Sequence, residues 1–209
     1  SGNTAIGENA LRDCTGTENT AVGSSAMYDG AGGTENVAMG NDALVINAGN
    51  QNVSIGGDSM KANTTGDSNT AVGYAALDAN TTGSNNTAIG QDALGAATTA
   101  DSNTAVGLSA LKLNVTGTSN TAVGKDALRA NLANNNTAVG MDALTAATTG
   151  HSNTAMGKNA GIAVTTGNSN VAIGSDALEA TTTSSSNTAV GTSALALNTG
   201  GENVAVGKG

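Results

Sequence analysis

The side chains in this sequence that could do chemistry are few, and they lack partners. His151 is the only histidine and lies beside Gly150, and Cys14 is the only cysteine. A nucleophile, a general base or a metal ligand works as part of a set, yet no Cys-His pair, acid pair or triad recurs near either residue. An acid does recur along the chain, at Asp42, Asp58, Asp92, Asp126, Asp142 and Asp176. Ser25, Ser109, Ser193, Asn9 and Asn159 take its place elsewhere. One carboxylate per repeat, followed by Ala-Leu, is a poor calcium ligand set beside the Gly-Gly-x-Gly-x-Asp spacing of calcium rolls. The many glycines are not followed by Gly-Lys-Ser/Thr, so they do not make a phosphate loop. The sequence therefore predicts no catalysis, no cofactor and no metal. His151 is expected to be a solvated loop side chain, Cys14 a small filler, and the Asp, Asn and Ser residues turn formers that bond nearby backbone N–H groups.

Regularly spaced threonines are the other chemical feature. One column follows a recurrent Asn, and Thr-Thr pairs stand at Thr64-Thr65, Thr81-Thr82, Thr98-Thr99, Thr148-Thr149 and Thr165-Thr166. A face of hydroxyls at constant spacing is what binding to an ice lattice requires. A Thr ladder that bonds stacked strands produces the same pattern. Val interrupts the first column at Val37, Val53, Val171 and Val204.

The element that positions all of these is a repeat. A unit close to Asn-Thr-Ala-Val-Gly begins at Asn3, Asn19, Asn36, Asn52, Asn69, Asn86, Asn103, Asn120, Asn136, Asn153, Asn170, Asn187 and Asn203, in steps of 16 or 17 residues. That period is too short for a helix pair or a propeller blade, and it suits one coil of a β-solenoid. The expected fold is all-β: a parallel β-solenoid (β-roll) of about thirteen coils, one domain over residues 1–209. The chain starts and stops within the repeat register, which reads as a fragment of a longer fibrous protein.

Composition agrees with a thin, stacked core. There is no Phe, Trp or Pro, and the only aromatics are Tyr28 and Tyr74. The apolar content is largely Ala, so burial must come from many layers, from association of chains, or from both. The net charge of −9 disfavours nucleic acid and anionic membranes. No apolar run reaches the length of a membrane span, and no signal peptide is present.

Within a coil, strand alternation puts the residue after Asn and the Val/Ile/Met residue on one face, with Ala and Asn on the other. The apolar column is read as inward, together with the Thr column. Ala5, Ala21, Ala38, Ala71 and their equivalents then form a smooth outer face, a seam for a second chain. Gly7, Gly23, Gly40, Gly56, Gly73, Gly90, Gly107, Gly124, Gly140, Gly157, Gly174, Gly191 and Gly207 follow, and a glycine this regular marks a bend or a close backbone approach. Ala-Leu comes next, with Leu11, Leu44, Leu77, Leu94, Leu111, Leu128, Leu144, Leu178 and Leu195, or Met27 and Met60. An Ala two places later, as at Ala62, Ala79 and Ala146, extends that face into a second short strand. A short helix capped by the Asp is the competing reading, disfavoured because the segment is too short to nucleate alone. The Asn column has two structural readings, a ladder of amides about 4.8 Å apart or a brace for each coil's own bend. The 16-residue steps lose their residue in the closing loop, since a deletion in a strand would flip its faces.

The unit Asn69-Thr70-Ala71-Val72-Gly73 through Leu77, and Asn86-Thr87-Ala88-Ile89-Gly90 through Leu94, resembles the Asn-Ser-Val-Ala-Ile-Gly-x-x-Ser repeat of YadA-like heads in trimeric autotransporter adhesins. It is still more similar to repeats of phage and virus tail-fibre proteins. The resemblance covers the whole chain. It implies a left-handed roll, a homotrimer, and a structural or adhesive fibre segment at a virion or cell surface that presents a receptor-binding face to a cell-surface receptor or glycan. The departures are a coil longer than that family's and no apolar heptads of a stalk. Contacts with a receptor are expected in the irregular loops Tyr28 to Gly33, Val45 to Gln51 and Ala130 to Asn135. An ice-binding solenoid using its Thr columns is the alternative.

Overall fold

The computed structural model describes residues 2–209. The chain is an all-β parallel β-solenoid; its thirteen strands delimit about twelve turns, one fewer than the repeat count suggested. No helix occurs among the described residues. The coils fall into two compact units, Ser1–Asn103 and Thr104–Gly209. The first holds β1 (Thr4–Ile6), β2 (Thr20–Val22), β3 (Val37–Met39), β4 (Val53–Ile55), β5 (Thr70–Val72) and β6 (Thr87–Ile89). The second holds β7 (Thr104–Val106), β8 (Thr121–Val123), β9 (Thr137–Val139), β10 (Thr154–Met156), β11 (Val171–Ile173), β12 (Thr188–Val190) and β13 (Val204–Val206). In each unit every strand pairs in parallel with the strand of the next coil, like with like. Thr70 lies beside Thr87, Ala71 beside Ala88 and Val72 beside Ile89.

The faces are the reverse of those expected from hydrophobicity. Ala21, Ala38, Ala71, Ala88, Ala105, Ala122, Ala138, Ala155 and Ala189 are fully buried. The Thr column is half-buried and the Val/Ile/Met column points outward, with Met39, Ile89 and Met156 at 41, 40 and 45 % exposure. The buried Asn explains this. Asn19, Asn36, Asn52, Asn69, Asn136 and Asn187 are also wholly inside, and a residue two places on shares the Asn face. Once Asn points in, Ala follows it and Val cannot.

The Asn side chain serves as both ladder and brace. Asn136 Nδ2 donates to the carbonyl of Gly150 in its own closing loop at 2.7 Å. Asn136 Oδ1 accepts the backbone N–H of Asn153 in the next coil at 2.9 Å. The same pattern links Asn52 to Asn69 at 2.9 Å and Asn69 to Gly83 at 2.8 Å. Each amide thus closes one coil and seats the next.

The predicted second strand is absent. Its residues form successive turns, shown by the coil from Asn136: Ala143 N–H bonds Gly140 O, Thr145 N–H bonds Asp142 O, and Ala147 N–H bonds Leu144 O, at 3.4, 3.4 and 3.0 Å. Asp142 and Leu144 have φ of 58° and 51°, the positive third-residue φ of a type II turn. Asp, Asn and Ser tolerate that conformation readily. For Leu it costs about 1–2 kcal/mol, offset by burying the side chain, worth roughly 1.5–3 kcal/mol. Because turns replace alternation, Ala62, Ala79 and Ala146 are only partly buried rather than extending the Leu face. The next residue turns in instead: Asn63, Asn80, Ala97, Asn114, Asn131, Ala147 and Val164 are all fully buried.

This second inward column carries a shorter amide ladder. Asn63 Nδ2 donates to Asn47 Oδ1, and Asn80 Nδ2 to Asn63 Oδ1, each at 2.7 Å. The next position is Ala97, and the buried Asn80 Oδ1 has no partner. Ala97→Asn is expected to extend the ladder and raise stability by about 1 kcal/mol, read as a higher urea midpoint at unchanged m. A lower midpoint would mean that the coil cannot admit the amide.

Candidate functional surface

The outward face of the strands is the most regular surface of each unit. Alternation sets Thr70 and Val72, or Thr137 and Val139, on the outside of one strand, and parallel in-register pairing repeats that pair about every 4.8 Å. No hydrogen bond is formed by the hydroxyls of Thr70, Thr87, Thr121, Thr137 or Thr154. The loop threonines differ. Thr64 Oγ1 donates to Thr81 O at 2.7 Å, Thr81 Oγ1 to Thr98 O at 3.0 Å and Thr148 Oγ1 to Thr165 O at 3.2 Å. The strand column therefore has hydroxyls free for a ligand, as do the exposed second residues of the loop pairs such as Thr65 and Thr82, whereas Thr64, Thr81, Thr148 and Thr165 bond coil to coil.

The residues that could have carried chemistry are dispersed. His151 is exposed; its N–H donates to Asn168 Oδ1 at 2.9 Å and its ring Nδ1 lies 3.3 Å from Ser152 Oγ. Cys14 takes the second inward column, where its Sγ lies 3.6 Å from Asn19 Nδ2. Gly30, the matching residue one coil on, leaves it room: a Cβ there would meet Sγ at 2.9 Å. Among the described residues no three His, Cys, Asp or Glu side chains group to hold a metal ion, and no ligand-sized pocket is found. No helix is long and apolar enough to cross a membrane. The irregular loops follow the path of the coil, as where Asp29 and Ile46 pair in parallel. Tyr28 is half-buried with the Arg12 guanidinium 5.2 Å from its ring centre. Tyr74 is 58 % exposed, and its ring lies where a Cβ on Gly57 of the preceding coil would touch it at 3.5 Å.

The acidic column works mainly in local pairing. Lys61 Nζ bridges Asp58 at 2.8 Å and Asp42 at 3.2 Å, and these hydrogen bonds hold its ammonium pKa above the usual lysine value. Hydrogen bonds from Asn159 and Ser175 hold the Asp176 carboxyl below the usual range. Partial burial, then the charge of Asp58, pushes Asp78 up.

One feature that whole-chain composition hides is the distribution of charge. The first unit has eleven acidic residues against Arg12 and Lys61, a net of −9. The second has five acidic and five basic residues and a net charge of zero. Counting charge by halves of the sequence finds this.

No protein-family model matches this sequence, and no curated protein matches it.

Proposed function

We propose that this chain is a non-enzymatic structural and adhesive segment of a fibre, which associates with copies of itself and holds a receptor-binding surface away from a cell or virion. One observation carries the reading. A repeated face of each unit leaves Met39, Ile89 and Met156 exposed and Val22, Val72 and Val139 half-buried beside threonine hydroxyls that have no partner, and no pocket lies among the described residues. Contiguous exposed apolar surface of this kind marks an interaction site. The receptor or glycan belongs to that exterior role. Three chains is the number that the adhesin resemblance implies, with the strand face, not the buried Ala column, as the seam. Sedimentation equilibrium tests the reading: weight-average mass should climb above 19.9 kDa with concentration. A mass that holds at the monomer value to roughly 300 μM, well beyond ordinary specific affinities, would sink it.

Ice binding is the second reading, favoured by the free strand-face hydroxyls. Against it, the neighbouring column mixes Val72, Ile89 and Met156, three lengths of side chain where a lattice needs one. Thermal hysteresis no greater than that of a control protein is the expected result, and hysteresis abolished by Thr137→Lys would reverse the order of the two readings.

A further inference from the structure

We propose that this chain is made and displayed on a route where asparagine is not N-glycosylated, because its fold buries amides that such a route would modify. The inference stands on the fold alone. It narrows the cell or virion of the proposed function to one supplied without passage through the endoplasmic reticulum. Asn-x-Ser/Thr is the acceptor sequence for an oligosaccharide, and a glycosylated Asn belongs on the surface of the finished protein. Six copies occur in this sequence, and the fold divides them. In Asn85-Asn86-Thr87 and Asn135-Asn136-Thr137 the first Asn is exposed, at a turn with φ of 60° and 61°. In Asn52-Val53-Ser54, Asn63-Thr64-Thr65, Asn80-Thr81-Thr82 and Asn114-Val115-Thr116 it has 0 % exposure.

Glycosyl transfer joins Asn Nδ2 to C1 of the first sugar, breaks the bond from C1 to the lipid pyrophosphate that carries the oligosaccharide, and removes one amide proton. The modified amide keeps a single N–H. Asn63 uses both of its own: Nδ2 donates to Asn47 Oδ1 at 2.7 Å and to Gly66 O at 3.0 Å. Asn80 Nδ2 likewise donates to Asn63 Oδ1 at 2.7 Å and to Gly83 O at 3.0 Å. Asn52 and Asn114 close their coils on Gly66 O at 2.8 Å and Gly117 O at 2.9 Å. A sugar has no room beside them. Even a Cβ on Gly66 would lie 2.7 Å from Asn80 Nδ2, and one on Gly117 would lie 2.3 Å from Asn114 Oδ1. Burial in the finished coil gives no protection, because the transfer acts on the extended chain as it enters the compartment. Asn63 is covered only when the coil of Asn80 arrives, 17 residues further on, and contacts between coils form after the segments that make them.

The experiment directs the full chain into the endoplasmic reticulum of cultured animal cells with a cleavable signal peptide. It is compared with a variant carrying Ser54→Ala, Thr65→Ala, Thr82→Ala and Thr116→Ala, which removes the four buried acceptors and leaves every Asn in place. Ser54 lies between Ala38 and Ala71 in its column, and Thr65, Thr82 and Thr116 are exposed, so the fold should admit all four changes. Peptide mass spectrometry after enzymatic glycan release reads the occupancy of Asn52, Asn63, Asn80 and Asn114. Cooperative melting of the secreted chain reads folding. The unaltered chain should carry glycan on one or more of the four. The variant, which keeps the acceptors Asn85 and Asn135, should give a folded yield at least about tenfold higher. Unaltered chain recovered folded, with the four amides bare or glycosylated, overturns the proposal, as does a variant whose folded yield is no better. Chain made in a bacterial cytosol that folds but stays monomeric would instead remove the proposed self-association and leave this inference standing.

Discussion

Gly140→Ala is expected to abolish cooperative folding of the coils around it, with a loss of at least about 4 kcal/mol. Gly140 has φ of +137°, a region essentially closed to side-chain-bearing residues and costing about 1–3 kcal/mol. A Cβ there would lie 2.5 Å from the carbonyl oxygen of Gly157 and 2.6 Å from its carbonyl carbon. Neither backbone can retreat cheaply. Gly140 N–H is bonded to Val123 O at 2.7 Å, and Gly157 N–H to Val139 O at 2.8 Å. Widening one coil step to admit the methyl would break these bonds and those of the strands beside them. The contrast is Gly57→Ala, whose Cβ would make only ordinary contacts, with the Tyr74 ring at 3.5 Å and Asn41 O at 3.9 Å, without a positive φ, and which should stay within about 0.5 kcal/mol of the parent. Far-UV circular dichroism and urea titration of the two variants check the pair. Equal stabilities would show that the bend glycines are not required by the coil spacing.

Asn136→Ala should cost roughly 3–5 kcal/mol, because it strands several buried groups at once. The truncation removes the donor to Gly150 O at 2.7 Å and to Asn131 Oδ1 at 2.9 Å. It also removes the acceptor for Asn153 N–H at 2.9 Å. Asn136 and Asn153 are almost wholly buried, so water cannot replace the lost partners without opening the coil. Thr137→Ala, one residue on but outward, should change stability by no more than about 0.5 kcal/mol. Hydrogen exchange resolves the mechanism: protection of the Asn153 amide should collapse in the Asn136 variant and persist in the Thr137 variant. Retained protection would mean that the amide ladder is ornamental to the stack.

The same amide shows how much of the fold was legible. The 16–17-residue step of Asn and Gly located every strand and the turn after it, because each coil meets the same neighbours and so meets the same constraints. Asn69 and Ala71 were correctly paired on one face by alternation. Which way that face looks was misread, since side-chain hydrophobicity favours Val72 inside and leaves Ala71 for the surface. Thirteen repetitions of Asn were the available signal: a polar group held so regularly in a stack is best explained by buried backbone partners, and those draw Ala inward with it. Leu144 carried no such signal. Nothing in Leu favours a positive φ, and the Ala-Leu-x-Ala segment has the alternation of a strand until its backbone turns are seen.

For the candidate surface, the amino-acid sequence by itself determined the repeat, the parallel stacking that a short period enforces and the thin Ala-rich core. Three-dimensional packing decided which column is wet. Closing a coil this small requires an inward amide to bond the loop carbonyl, and that geometric demand overrides the ordinary preference for burying Val, Ile and Met. It leaves them on the outside beside unbonded threonines.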